Sequence, residues 1–189
     1  MPDALEFGPG RVIILSGPSG VGKDTVLVEW QKLNPAIIRV VAATTREPRP
    51  GEVDGVDYHF LTREAFIAKA EQGGFLEHKE YGVDFYGTPL DQVHEITREG
   101  KVALLKIEVQ GAAEVRKVLP EILSIFLLPP SFEELERRIR ERGTETEAQL
   151  NRRLERAKLE IEESSAYTHR VVNDDLALCV EKLEKLLNG

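Results

Sequence analysis

The sequence predicts an α/β fold, in which a mostly parallel sheet is flanked by helices. Short apolar runs alternate with helical patterns along the chain, as they do in repeated β-α-β units. The first apolar run, residues 11–16, leads into a glycine-rich turn and then into a helical pattern. The length of 189 residues indicates a single domain, residues 1–189, with a substantial buried core.

The first half of the chain begins with a buried strand at residues 11–16, a helix that opens near Thr25 and a second strand at residues 37–43. Residues 44–52 contain two prolines and a glycine, which predict an ordered loop. The next stretch, residues 58–88, predicts a small insertion with its own sheet. Its elements are strands at 58–61, 75–81 and 85–87 and a helix at 63–72.

The second half returns to longer elements. The predicted helices are residues 90–98, one that opens after Gln110, 132–142, 145–165 and 176–187, and the predicted strands are 101–109, 124–128 and 171–172. Pro129 and Pro130 end the middle strand. Ser131 and Glu134 have the spacing of a capping box, which predicts the start of the next helix.

Composition narrows the classes of function. The chain has 33 acidic and 25 basic side chains, a net charge of −8, which disfavours nucleic-acid or membrane-surface binding. Cys179 is the single cysteine, so no internal disulfide is expected, and a reducing, cytoplasmic location is favoured. We also expect no secretory signal and no membrane span, because no apolar run approaches about 18 residues. The four histidines lack the spacing of a zinc site.

The glycine-rich turn is the strongest chemical signal. Residues 17–23 read G-P-S-G-V-G-K, which matches G-x-x-x-x-G-K between a strand and a helix. In this arrangement, typical of P-loop NTPases, backbone N–H groups and the helix N-terminus surround nucleotide phosphates, and the lysine adds a positive charge. The predicted ATP-binding residues are Gly17, Pro18, Ser19, Gly20, Val21, Gly22, Lys23, Asp24 and Thr25.

Further motifs follow in a defined order. They are T-T-R-E-P-R-P-G-E at 44–52, G-V-D-Y-H-F at 55–60, F-Y-G-T at 85–88, V-Q-G at 109–111 and V-N-D-D at 172–175. Together with the phosphate loop, they make the chain from about Arg11 to its C-terminus resemble guanylate kinases. The resemblance implies Mg²⁺-dependent phosphoryl transfer from ATP to GMP, and to dGMP. It also implies a core (11–43, 89–130 and 166–189), a GMP-binding insertion (44–88) and a helical lid (131–165).

The resemblance assigns the GMP site as follows. Arg46 and Arg49 match the arginines that bind the GMP phosphate, and paired guanidinium groups suit a phosphate dianion. Glu77 matches the glutamate that accepts from the N1–H and 2-amino groups of guanine, an edge that adenine does not offer. The remaining predicted GMP-binding residues are Tyr58, Tyr86, Thr88 and Glu108.

Transition-state stabilisation is assigned to Lys23 and to lid arginines. Arg138, Arg142 and Arg153 match arginines that the family brings to the transferred phosphoryl group when the lid closes. For any one lid arginine, the alternative is a solvated surface residue paired with nearby glutamates. A final turn, with Asn173 and Asp174, matches the one that contacts adenine.

Three positions depart from the family pattern. Ala42 replaces a serine that bonds guanine, Asp24 replaces the hydroxyl residue after the lysine, and Lys106 replaces an aspartate near Mg²⁺. One hypothesis is that Asp24 holds Mg²⁺, directly or through water, while Lys106 pairs with Asp24 or a phosphate. The alternative is a structural Asp24–Lys106 ion pair. Lys106 and Glu108 are two residues apart in the predicted strand, so we expect them to face the same side and to point at the site together.

Three functions therefore remain open at this stage. The first is a guanylate kinase that uses ATP and GMP, as a monomer or homodimer, without nucleic-acid or membrane partners. The second is a kinase of another small phosphate ester on the same scaffold. The third is a non-catalytic guanylate-kinase-like binding module.

Overall fold

The computed structural model describes residue 5, residues 7–141 and residues 146–189. In chain order the elements are β1 (Arg11–Ser16), α1 (Lys23–Leu33), β2 (Ile37–Arg39), β3 (Ala43–Thr44), β4 (His59–Phe60), α2 (Arg63–Glu71), β5 (Phe75–Tyr81), β6 (Asp84–Pro89), α3 (Leu90–Arg98), β7 (Val102–Lys106), α4 (Val109–Val118), β8 (Leu123–Leu128), α5 (Phe132–Glu141), α6 (Glu147–Glu162), β9 (His169–Val172) and α7 (Leu176–Asn188). A short 3₁₀ turn, Glu163–Ala166, follows α6. In the described part of the chain, we find no helix with the length and apolar character to cross a bilayer.

The central sheet has the strand order β2-β7-β1-β8-β9, and all of its neighbouring strands are parallel. Alternate residues of β1 belong to different cores, because successive side chains of a strand point to opposite faces. Ile13 and Leu15 pack with α1 and α7, whereas Ile14 packs with α3 and α4. This confirms the predicted α/β class. The carboxyl ends of the parallel strands meet at one edge, where ligands of such sheets bind.

A second sheet, in the order β4-β3-β6-β5, forms most of the insertion. It has its own small core, in which the Phe66 ring stacks on Phe75 with centroids 4.4 Å apart and on Phe85 at 5.4 Å. The insertion therefore carries independent packing, as the short apolar runs predicted. Its sheet begins at Ala43, one residue before the predicted boundary of the insertion.

The prediction of a single strand over residues 37–43 is wrong. The structure divides this stretch between two sheets: β2 pairs with β7, and β3 pairs with β4 and β6. The backbone N–H of Val40 still bonds Leu104, and the chain then leaves the central sheet. Residues 37–43 are all apolar except Arg39, so their hydrophobicity does not show where one sheet ends and the next begins.

The predicted strand 101–109 is too long at its carboxyl end. Pairing between β1 and β7 ends with Leu15 opposite Lys106. Glu108 is the N-cap residue of α4, and its carbonyl accepts from the N–H of Ala112 at 2.9 Å. The strand alternation therefore does not reach Glu108, and the expectation that Lys106 and Glu108 face the same side of one strand is wrong.

The two lid helices begin at side-chain caps. The Ser131 hydroxyl accepts from the N–H of Glu134 at 3.1 Å, as the sequence predicted for α5. Helix α6 begins after Thr146, which forms a full capping box with Gln149, and it ends at Glu162 rather than at residue 165. Arg142, one of the predicted catalytic arginines, lies outside the described residues.

Candidate active site

The phosphate loop joins β1 to α1 and is shaped by two close approaches. Gly22 precedes α1 with φ 96°, and a Cβ atom there would lie 2.7 Å from Nδ2 of Asn173. A Cβ atom on Gly20 would lie 2.6 Å from Cγ1 of Ile139 in α5. The loop is thus packed between the lid helix and the end of β9, and glycine is required at both positions.

Lys23, the first residue of α1, turns back over the phosphate loop. Its Nζ donates to the carbonyl oxygens of Gly17 at 2.6 Å and Pro18 at 3.0 Å. Burial lowers the pKa of Lys23 to about 8, an effect that the nearby carboxylate of Glu160 partly offsets. The ammonium group therefore lies where a phosphate would replace backbone carbonyls as its partner.

Two predicted lid arginines lie beside this loop. Arg153 of α6 donates from Nη2 to Oγ of Ser19 at 2.5 Å. Arg138 of α5 donates from Nε to Glu134 at 2.7 Å and from Nη1 to the carbonyl of Asn173 at 3.3 Å. Arg138 therefore has a glutamate partner, as expected of a surface residue, whereas Arg153 contacts the phosphate loop, as expected of a residue that reaches the transferred phosphoryl group.

The loop between β3 and β4 holds Arg46 in a fixed position. Its guanidinium forms two hydrogen bonds with the Glu52 carboxylate, each 2.9 Å long. Glu52 also accepts from the backbone N–H of Arg49 at 2.7 Å. The hydrogen bond from Arg46 lowers the pKa of Glu52 to about 2, and the same bond raises the pKa of Arg46. Arg46 is therefore preorganised, and the Arg49 side chain is exposed beside it.

Tyr58 and Tyr86 lie next to Arg46. The Arg46 guanidinium is 5.4 Å from the Tyr58 ring centroid, and the two tyrosine rings meet edge to face at 6.1 Å. Burial raises the pKa of the Tyr58 hydroxyl, so this group stays protonated and able to donate. The four residues predicted to bind the GMP phosphate, Arg46, Arg49, Tyr58 and Tyr86, are thus brought together.

Glu77 of β5 lies deeper in the insertion. It is opposite Thr88 of β6, whose hydroxyl donates to Oε1 at 2.7 Å. Burial raises the pKa of Glu77, and the bond from Thr88 partly offsets this effect. A Cβ atom on Gly111 of α4 would lie 3.1 Å from Oε2, so the carboxylate lies against a helix that has no side chain at this position. The Glu77 carboxylate is therefore held in place, and the Thr88 hydroxyl orients its Oε1 atom.

Glu108 has partners that the sequence did not predict. Its Oε2 accepts from Nη2 of Arg156 at 2.6 Å and lies 3.5 Å from Nζ of Lys79. The residue that the sequence predicted to contact guanine therefore forms an ion pair with α6. Neither basic residue belongs to a recognisable motif, and no pattern in the sequence indicates that these distant segments meet.

Asp24 and Lys106 form an ion pair at the edge of the sheet, between Oδ1 and Nζ. Partial burial alone would raise the pKa of Asp24, but the hydrogen bond from Lys106 lowers it overall. Among the residues that the structure describes, no three acidic, histidine or cysteine side chains form a group that could hold a metal. With Asp24 as the carboxylate at this edge, the site suits a Mg²⁺ ion that keeps its water and phosphate ligands and takes at most one or two protein ligands.

The predicted adenine-contacting turn has an additional structural role. The Asn173 side chain is buried, and its Nδ2 donates to the carbonyl of Val21 at 2.8 Å. Its backbone N–H bonds Leu128, so the turn links β8, β9 and the phosphate loop. Asp174 follows it as an exposed residue.

Comparisons with known proteins agree with this arrangement. The family model described as guanylate kinase matches residues 9–189. A guanylate kinase from Nostoc sp. is 47% identical over 180 residues, which cover 95% of this chain and 90% of the relative. One from Synechococcus elongatus is 49% identical over 175 residues, which cover 93% and 96%.

A solved structure shows the same similarity. The crystal structure of guanylate kinase from Anaplasma phagocytophilum superimposes with a TM-score of 0.76 at 33% identity, over 97% of this chain and 87% of that one. Fold, motifs and relatives agree over nearly the whole length, and the chain belongs to the guanylate kinase family.

Proposed function

We propose that this chain transfers the γ-phosphoryl group of ATP to the phosphate of GMP, giving ADP and GDP. The observation that carries the proposal is the presence of two anion sites in a member of this family: the phosphate loop with Lys23, and the loop that presents Arg46 and Arg49. Both sites are preorganised by contacts within the protein, Lys23 by loop carbonyls and Arg46 by Glu52.

In the proposed reaction, a phosphate oxygen of GMP attacks the γ-phosphorus in line with the bond to the leaving ADP. A P–O bond to GMP forms, the bond to ADP breaks, and no protein group becomes covalently modified. Lys23 and the lid arginines Arg138, Arg142 and Arg153 would stabilise charge on the transferred group. Arg153 already lies against Ser19 of the phosphate loop, which agrees with a role at the transferred group.

We propose that Mg²⁺ enters with ATP and is held mainly by phosphates and water. When bound, the ion neutralises phosphate charge. At the start of α1, Thr25 and Asp24 are exposed and would hold the ion or its water shell. The Asp24 side chain is 75% exposed despite its bond to Lys106 through Oδ1, so its second oxygen remains accessible to a metal-bound water.

Base selectivity is assigned to Glu77, with Thr88 and Glu108. The Thr88 hydroxyl donates to one carboxylate oxygen of Glu77, which orients the group toward an incoming pair of donors. Guanine presents two donors to Glu77, N1–H and the 2-amino group. Adenine has an acceptor at N1 and only a C–H group at position 2, so it would leave the carboxylate without partners. Asn173 and Asp174 would border the ATP base, in addition to the contact of Asn173 with the phosphate loop.

Location and assembly remain proposals of the same kind. We expect a cytoplasmic enzyme that acts as a monomer or homodimer on small nucleotides, without nucleic-acid or membrane partners. Cys179 is buried, and burial raises the pKa of its thiol to about 11, which keeps the thiol unreactive.

The test is a coupled assay of ADP release with MgATP and GMP, dGMP, AMP or CMP as acceptor. We expect rapid turnover with GMP, turnover with dGMP, and little with AMP or CMP. Preference for another acceptor would support a different small-molecule kinase. Absence of turnover with all four, from folded protein that binds nucleotide, would support a binding module instead.

A further inference from the structure

One lid arginine outside the proposed catalytic set reaches both other parts of the molecule. Arg156 of α6 donates from Nη2 to Glu108 at the start of α4, at 2.6 Å. Its Nη1 donates to the Tyr81 hydroxyl at the end of β5, and the guanidinium lies 5.0 Å from the Tyr81 ring centroid. A single side chain therefore connects lid, core and insertion.

Two more residues reinforce this contact. Lys79 of β5 donates to Gln110 of α4 at 2.9 Å, lies 3.5 Å from Glu108 and lies 5.6 Å from the Tyr81 ring centroid. Glu160, one turn after Arg156, accepts from its Nε at 2.9 Å and is mostly buried. We refer to Arg156, Glu108, Tyr81 and Lys79 as the clasp.

The clasp joins elements that carry the two proposed phosphate sites. The negative charge of Glu108 acts to raise the pKa of Lys23 and of Tyr58, although burial has the larger effect on both and leaves the pKa of Lys23 lowered, at about 8. Strand β5 carries Tyr81 and also Glu77, four residues earlier. Helix α6 carries Arg156 and also Arg153, three residues earlier and on the same helical face.

We propose that Arg156 is a positioning residue that couples GMP binding to lid closure. This inference rests on the proposed function. A base held by Glu77 fixes β5 and therefore Tyr81, which gives Arg156 a fixed partner on the insertion. The clasp then holds α6 in the position where Arg153 faces the phosphate loop. Binding at the GMP site is thereby linked to order at the ATP site through Arg156, which belongs to neither proposed set of nucleotide-binding residues.

Arginine is suited to this role because its planar group offers separate edges to separate partners. In the structure, Nη2, Nη1 and Nε bond Glu108, Tyr81 and Glu160 respectively. A lysine would keep the charge but could not make this set of bonds in fixed directions. The Arg156 side chain is only 35% exposed, so water competes less for these bonds than it does for pairs on the outer face of the lid.

The experiment is GMP binding by calorimetry, with and without a saturating non-hydrolysable ATP analogue and Mg²⁺. The ratio of the two dissociation constants is the coupling factor, and coupling between sites typically ranges from about fivefold to 150-fold. We expect Arg156→Gln to lower this factor about fivefold or more, and Arg156→Lys to restore part of it. Tyr81→Phe removes only the hydrogen bond between Arg156 and the insertion and keeps the ring contact, so it should have a smaller effect.

The matched control is Arg152→Gln on the same helix, because Arg152 is exposed and bonds the carbonyl of Ala148 within α6. It should leave the coupling factor unchanged. Unchanged coupling in a folded Arg156→Gln variant would overturn the role of Arg156 and leave the proposed function intact. Failure of the unmodified protein to bind GMP at all would overturn the proposed function and the coupling with it.

Discussion

Arg153 of the lid helix donates a hydrogen bond of 2.5 Å to the Ser19 hydroxyl of the phosphate loop. The two residues are 134 positions apart in the chain, and no local pattern predicts that they meet. Their contact places a guanidinium group against the loop that is proposed to hold the ATP phosphates. The lid and the phosphate loop thus form one surface.

This contact predicts that Arg153→Lys acts on the chemical step. Lysine keeps the positive charge but cannot present two N–H groups to adjacent phosphate oxygens. We expect kcat to fall about a thousandfold, the lower end of the effect of removing a transfer-stabilising arginine, with a smaller change in KM for ATP. Steady-state kinetics measure both values. Arg152→Lys is the control, and a wild-type kcat in Arg153→Lys would contradict the assigned role.

The lowered pKa of Lys23 predicts a pH dependence of ATP capture. With a pKa of about 8 in the free protein, the ammonium group loses its proton above that pH. We expect kcat/KM for ATP to fall above about pH 8, whereas kcat should persist to higher pH, because bound phosphates favour the charged lysine. A pH series of both parameters checks this. The residual activity of Lys23→Arg should lack the fall, since guanidinium does not titrate in this range.

Glu52 should contribute to stability in acid and to GMP binding. Its pKa of about 2 is below the ordinary value of 4.5, so its stabilising effect is present above pH 4.5 and is lost as the pH falls toward 2. Glu52→Gln should therefore flatten the decline of the free energy of unfolding in this window and raise KM for GMP. Urea unfolding at several pH values measures the first effect. Glu47→Gln is the control, because Glu47 meets Arg46 through its backbone carbonyl. An acid profile unchanged by Glu52→Gln would contradict the prediction.

The Asp24–Lys106 ion pair is compatible with two roles of Asp24, a magnesium-binding role and a structural one, and a magnesium titration separates them. If Asp24 holds a metal-bound water, Asp24→Asn should raise the Mg²⁺ concentration needed for half-maximal rate, because the amide is a weaker partner for a cation shell. If the pair is purely structural, the Mg²⁺ requirement stays the same and the melting temperature falls. Activity titrations and thermal unfolding of the same variant distinguish the two outcomes.

The sequence predicted the structure correctly where the contacts are local. The phosphate loop lies between β1 and α1, and Arg46 and Arg49 share Glu52 as a partner within one short segment. The prediction for Glu108 failed, because apolar residues continue past the end of β7 into α4 and hide the boundary between the strand and the helix. Sequence reasoning also missed Arg156 and Tyr81, whose roles depend on segments that are brought together only by the fold.

The contact between Gly111 and Glu77 gives a last prediction, in which helix propensity and function oppose each other. Alanine is favoured over glycine within helices by about 0.5–1 kcal/mol, so Gly111→Ala should not destabilise α4. Its Cβ would lie 3.1 Å from Oε2 of Glu77, a buried carboxylate that Thr88 holds at 2.7 Å. The carboxylate must therefore shift by a few tenths of an ångström, out of line with the base. A hydrogen bond to a charged group contributes about 1.5–3 kcal/mol, so losing one bond between Glu77 and the base lowers affinity about tenfold or more. We expect KM for GMP to rise by this factor while the melting temperature is kept, with an unchanged KM for ATP as the internal control. Unaltered KM for GMP would mean that the carboxylate can move freely, and that Thr88 does not fix its position.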